Sequence, residues 1–178
     1  MSEPTDEMER WIKVRALPQD RWTMEATAAE RQALAKRFNV SAIQLLTARL
    51  TFSETDAGIL AQGRLAAEVK QPCAVTREDF AYAVDEPVAL LFVPEGQFTR
   101  YDQDEEIELA GEAPDEVEYV GDAFDAGEAI AQTLGLAIDP YHVGPDADER
   151  REEAGIERDD APAPSGPLAE ALAGLKRN

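Results

Sequence analysis

The sequence predicts an α+β domain: an antiparallel sheet curled toward a barrel, with two helices packed on it. Three observations carry this. Long runs of residues follow the period of strands, only two segments combine helical spacing with an N-cap signal, and those helices fall between or after the strand runs without alternating with them.

The elements follow in chain order. Trp11 to Leu17 (WIKVRAL) is a short apolar, β-prone run ended by Pro18, which predicts a first strand. Thr27 with Glu30 three residues on is a capping-box pattern. Ala28, Ala29, Leu34 and Ala35 continue it as a helix to about Phe38, and Asn39 ends it. From Val40 to Phe52 apolar residues fall at both parities, which predicts a strand buried on much of both faces. Ile59, Ala61, Leu65, Ala67 and Val69 share one parity while Gln62, Arg64, Glu68 and Lys70 share the other, the mark of a half-solvated strand. Phe80, Tyr82, Val84, Val88, Leu90 and Phe92 repeat the period, with Pro87 restricting that run to an edge position or a bulge.

Beyond residue 95 apolar content drops, leaving one candidate short strand, Val117 to Val120. Asp125 and Glu128 form a second capping pattern, and Ile130, Ala131, Leu134 and Ile138 predict a helix over 126–138 that Asp139 and Pro140 terminate. The expected organisation is a flexible N-terminus (1–8), one domain over 9–145 containing an acidic loop region (95–123), a charged and Pro-rich linker (146–166) and a short amphipathic tail helix (167–178). In that tail Leu168, Leu172 and Leu175 share one stripe, with Lys176 and Arg177 at the C-terminal end of the helix dipole.

The chain has 178 residues and a formal charge of −20, from 37 acidic against 17 basic side chains. A charge of this size opposes condensation onto nucleic acid, so general, direct RNA or DNA binding is disfavoured. The charge is unevenly spread. Residues 9–64 hold nine Lys and Arg against six Asp and Glu, while 95–128 hold thirteen Asp and Glu against Arg100 alone. A single Cys excludes an intrachain disulfide, the N-terminus does not resemble a signal peptide, and no apolar run is long enough to span a membrane, so a cytoplasmic location is expected.

Chemistry-bearing groups are few. Cys73 and His142 are the only residues of their types and no local signal joins them, so Cys73 is expected to be a small core residue and not a nucleophile. Two such residues cannot make a structural zinc site, and the acidic run from Asp102 to Glu108 lacks the Gly and ligand spacing of a calcium loop. No phosphate loop or nucleophile elbow occurs. No catalytic residue, metal, cofactor or small-molecule substrate is expected.

The motif QPCAVTRE at 71–78, preceded and followed by alternating strands, then a long acidic segment, then FDAGEAIAQTLGLAIDPYHVGP, resembles the YceD family. These are bacterial proteins associated with accumulation of large-subunit (23S) ribosomal RNA. The resemblance covers roughly residues 9–145 and rests on Gln71, Cys73, Thr76, Asp139, Pro140 and Tyr141; the Leu- and Lys-containing tail is similar as well. Many relatives carry a Cys pair where this chain has Cys73, Ala74, Val75 and Thr76, so a metal or redox role of that pair is not implied here.

What the resemblance implies is a non-enzymatic ribosome-biogenesis factor, and the charge distribution favours an acidic adaptor for a basic ribosomal protein or rRNA-processing factor. Asp102, Asp104, Glu105, Glu106, Glu108 and Glu112 would attract the partner, and the tail leucines would anchor it. The alternative is direct RNA binding by Arg10, Lys13, Arg15, Arg31, Lys36 and Arg37 of the mildly basic N-terminal half.

Overall fold

The computed structural model describes residues 7–97 and 113–155. The chain runs β1 (Trp11–Lys13), β2 (Trp22–Glu25), α1 (Ala28–Arg37), β3 (Ala42–Glu54), β4 (Ile59–Pro72), β5 (Asp79–Pro94), β6 (Asp115–Tyr119), β7 (Ala123–Asp125), α2 (Ala126–Ala137) and α3 (Ala147–Glu153). The α+β class holds. The sheet has five strands in the order β2-β3-β4-β5-β6 and is not closed into a barrel, because β2 and β6 remain at opposite edges. Nor is it wholly antiparallel: β6 runs parallel to the end of β5, from Leu90 opposite Asp115 to Pro94 opposite Tyr119. β1 and β7 form a separate antiparallel ribbon.

The strand over 40–52 is buried on one face, not on both. Ile43 pairs with Val69 and Leu45 with Glu68, so a bulge adds one residue to β3 and reverses its parity. Ile43 and then Leu46, Ala48 and Leu50 therefore all point inward, while Leu45 and Arg49 are exposed. β4 keeps strict alternation, with Ile59, Ala61, Leu65, Ala67 and Val69 buried. Pro87 sits opposite Arg64, before β6 begins to pair with β5, so its missing N–H falls where the strand is locally an edge.

α1 carries the full capping box: Glu30 N donates to Thr27 Oγ1 at 3.3 Å and Thr27 N to Glu30 Oε2 at 2.7 Å. Asn39 follows it in the left-handed region at φ 55°. α2 is capped by Asp125, whose Oδ1 accepts from Gly127 N at 2.9 Å and Glu128 N at 3.2 Å, and also from Arg10 N at 2.8 Å. That third bond ties the N-terminal segment to the helix, and Met8, in the stretch read as a flexible terminus, is buried in the core. α1 and α2 both bury residues in one cluster with the inward side chains of β3, β4 and β5. The opposite face of β2 to β5 is left without either helix.

The first strand is shorter than the seven-residue run suggested, and β2, β7 and α3 add elements that periodicity did not mark. Besides the two helices expected on the sheet, the described residues hold α3, which falls inside the segment read as linker and buries Ala147. Among the described residues no helix is long and apolar enough to cross a membrane.

Candidate functional site

The two halves of the sequence motif meet in space. β4 ends at Gln71 and Pro72, and the chain turns back through Cys73 to Arg77, with Cys73 N donating to Glu78 O at 2.9 Å and Arg77 N to Cys73 O at 3.0 Å. Against this turn lies the chain that leaves α2. Ala74 N donates to His142 O at 3.1 Å, and Gln71 Nε2 to Asp139 O at 2.7 Å. Tyr82 Oη donates to Gln71 Oε1 at 3.0 Å, so both ends of this buried amide are occupied. The His142 ring stacks on Tyr82 at 4.3 Å and on Phe80 at 5.3 Å between centroids.

Cys73 is buried at the centre, and its Sγ accepts from Val75 N and Thr76 N at 3.4 Å and from Gly144 N at 3.3 Å. Burial pushes the thiol up, but the Thr76 side chain and the N–H groups of Thr76, Gly144 and Val75 together outweigh it and hold the pKa at about 7. Gln71, Cys73, Thr76 and Asp139 are thus brought together, whereas Pro140 and Tyr141 lie on the outside, Tyr141 at 78% exposure. The group acts as a clasp between the β4–β5 turn and the segment after α2. Among the described residues no three His, Cys, Asp or Glu side chains gather as a metal site would require.

A second arrangement lies at the other end of α2. A hollow of about 300 Å³ opens between β6, β7 and α2. Its floor holds Phe92 and Phe124, stacked at 4.1 Å, and its walls hold Trp11, Val117 and Tyr119. Trp11 is 61% exposed and Val120 73%, apolar side chains at the rim with one flank each in water. The rim is acidic. Glu118 lines it, exposed and accepting Gly96 N at 3.3 Å through one carboxylate oxygen, Asp115 starts the same strand, and Asp122 is exposed next in sequence to the lining residue Ala123. Asp125 and Glu128 also line it but are engaged: Asp125 caps α2, and the Arg37 guanidinium holds the Glu128 carboxyl below its ordinary range at 2.8 Å.

The acidic positions Asp102, Asp104, Glu105, Glu106, Glu108 and Glu112 lie outside the described residues, as do Leu168, Leu172, Leu175, Lys176 and Arg177 of the tail. Of the bases assigned to the alternative RNA face, Arg10 is paired with Glu30 at 2.8 Å, and Arg37 with Glu128 at 2.8 Å and Glu7 at 3.2 Å. Arg31 turns back onto the Ala26 carbonyl. Lys13, Arg15 and Lys36 are exposed. The hollow went unread in the sequence because Trp11 looked like an ordinary strand residue; the one available signal was Val120 followed directly by Gly121 in an otherwise acidic stretch.

A family model described as large ribosomal RNA subunit accumulation protein YceD matches residues 61–176, about two thirds of the chain. The match begins within β4 and runs through both halves of the motif. No curated protein and no solved structure matches.

Proposed function

From the premise that this chain belongs to the YceD family of large ribosomal RNA subunit accumulation proteins, we propose that it is a non-enzymatic ribosome-biogenesis factor that acts as an acidic adaptor for a basic ribosomal protein or rRNA-processing factor. The observation that carries the adaptor reading is the hollow between β6, β7 and α2. It combines exposed apolar side chains, Trp11 and Val120, with the exposed carboxylate of Glu118 in its lining and that of Asp122 next in sequence to the lining residue Ala123.

The chemistry selects the partner. An apolar floor rewards burial of one or two leucine- or aromatic-sized side chains, while the carboxylate rim favours Lys and Arg beside them. Basic proteins that fold on rRNA expose such segments before assembly, and a carrier of charge −20 both hastens the encounter and keeps them from indiscriminate contact with RNA. The direct-RNA alternative, as drawn through Arg10 and Arg37, loses support, since those two are already neutralised by Glu30, Glu128 and Glu7.

The family role is tested in cells depleted of the protein. The expected result is a fall in mature large-subunit rRNA relative to small-subunit rRNA that the wild-type chain restores. An unchanged ratio would refute the reading.

A further inference from the structure

On the face of the sheet away from α1 and α2, β3 and β4 place Arg49 directly opposite Arg64. Like charges on directly opposed residues of paired strands destabilise a sheet. Arg21, just before β2, shares a hollow of about 430 Å³ with both, together with Thr51 and Gln62. Arg64 pairs with Asp85, Nε to Oδ1 at 2.9 Å, and Glu86 attracts it as well. Among the described residues Arg21 and Arg49 make no ion pair, although Glu25 lines the adjoining hollow that Arg49 also borders. The lining of the hollow itself holds three guanidiniums and no carboxylate, with Asp85, Glu86 and Glu25 standing around it, so in a chain with more than twice as many acidic as basic side chains the sign reverses within the hollow.

We propose that Arg21, Arg49 and Arg64 form a binding site for phosphodiester groups of single-stranded RNA on the open face of the sheet. Guanidiniums match phosphate oxygens bidentately, and an anion between Arg49 and Arg64 removes the repulsion that the empty face carries. The Thr51 hydroxyl and Gln62 amide add neutral donors for further phosphate or ribose oxygens. β3 and β4 carry Arg49 and Arg64 on paired strands, and Arg21 lies one residue before β2, so the backbone under the site is fixed without a long loop having to order. RNA is favoured over an acidic protein as the occupant because the family is tied by its description to large-subunit rRNA, and the charge of −20, which opposes any polyanion, confines the contact to a few phosphates at this hollow. The site shares no lining residue with the hollow beside α2, so it goes beyond the protein-capture reading and would let one chain touch a basic protein and RNA at once.

The test uses the full chain and a fluorescent, short oligouridylate, followed by anisotropy across a salt series. Binding is expected at low salt, weakening with a log–log slope of about −2, from about 0.7 released counterion per neutralised phosphate at three phosphates. Arg21→Gln with Arg49→Gln should lower affinity at least about tenfold, a loss of about 1.4 kcal/mol. Lys36→Gln and Trp11→Ala should leave it unchanged, which separates this site from the protein-binding hollow. The same double variant should unfold at an equal or higher temperature than wild type, because the repulsion of Arg49 against Arg64 is gone, so that loss of binding cannot be ascribed to loss of fold. No binding at low salt, an unchanged affinity in the double variant, or equal competition by oligoglutamate would overturn the assignment.

Discussion

Cys73 Sγ accepts the N–H of Gly144 at 3.3 Å, a bond that closes 71 residues of chain and joins the two halves of the family motif. The thiol is therefore placed as a structural acceptor, and its lowered pKa is a consequence of that role. Cys73→Ala removes the acceptor from three buried or half-buried N–H groups and should destabilise the domain by about 1–3 kcal/mol.

The sign of the pH dependence follows from the depressed value. With a folded pKa of about 7 against an ordinary 9.0, the contribution of Cys73 is complete above the ordinary value and is lost as the pH falls through 7. Urea unfolding should show a larger deficit for Cys73→Ala in mildly alkaline than in mildly acidic buffer. A deficit independent of pH would show that the thiolate plays no part.

Gln71 is the polar member of the clasp, and its amide bridges Asp139 O and Tyr82 Oη. Gln71→Leu leaves a carbonyl and a hydroxyl facing an apolar group, with an expected cost of about 1–3 kcal/mol. Tyr82→Phe should cost less, near the lower end of about 1–3 kcal/mol, because it leaves one group without a partner, Gln71 Oε1, where Gln71→Leu leaves two, and the ring still stacks on His142. Thermal unfolding of the two variants checks the order.

Gly63 faces Leu50 across β3 and β4, and a Cβ there would run into the carbonyl oxygen of Arg49. Gly63→Ala must push the strands apart beneath the paired arginines. A loss at or above the upper end of about 1–3 kcal/mol is expected by chemical denaturation. Gly96→Ala is a contrast of a different kind: space is open around it, but its φ of +83° makes the backbone the only source of cost.

Glu30 closes the capping box on Thr27 and pairs with Arg10, and the Arg10 hydrogen bonds are the main reason its carboxyl is held down at about 2. A depressed carboxylate adds stability that is present above its ordinary value of 4.5 and lost as the pH falls toward 2. Glu30→Gln should therefore lower stability near neutral pH and flatten the acid limb of the unfolding curve. Thr27→Ala should cost about 1 kcal/mol at both ends of that range.

Much of the fold is legible in local patterns. Thr27 with Glu30, and Asp125 with Glu128, marked both long helices because a cap is a contact within three residues. The alternation of Ile59 to Val69 marked β4 for the same reason. The strand at 42–54 misled, since the bulge between Ile43 and Leu45 changes parity midway and mimics burial on two faces. The parallel placement of β6 depends on a long connection, and no local pattern encodes it. The clasp was half legible: Gln71, Cys73 and Asp139 stood out by motif, but that Gly144 caps the thiol is set by tertiary approach across the domain. Arg49 opposite Arg64 needed the strand register before it had any meaning.

The adaptor claim is tested most directly by affinity capture on the full chain after nuclease treatment, read by quantitative mass spectrometry, with wild type beside a Trp11→Ala and Val120→Ser variant shown to be folded. The account predicts that a basic ribosomal protein or rRNA-processing factor is enriched on wild type without RNA and falls severalfold on the variant. Recovery of no basic protein, or equal recovery on both chains, would contradict it.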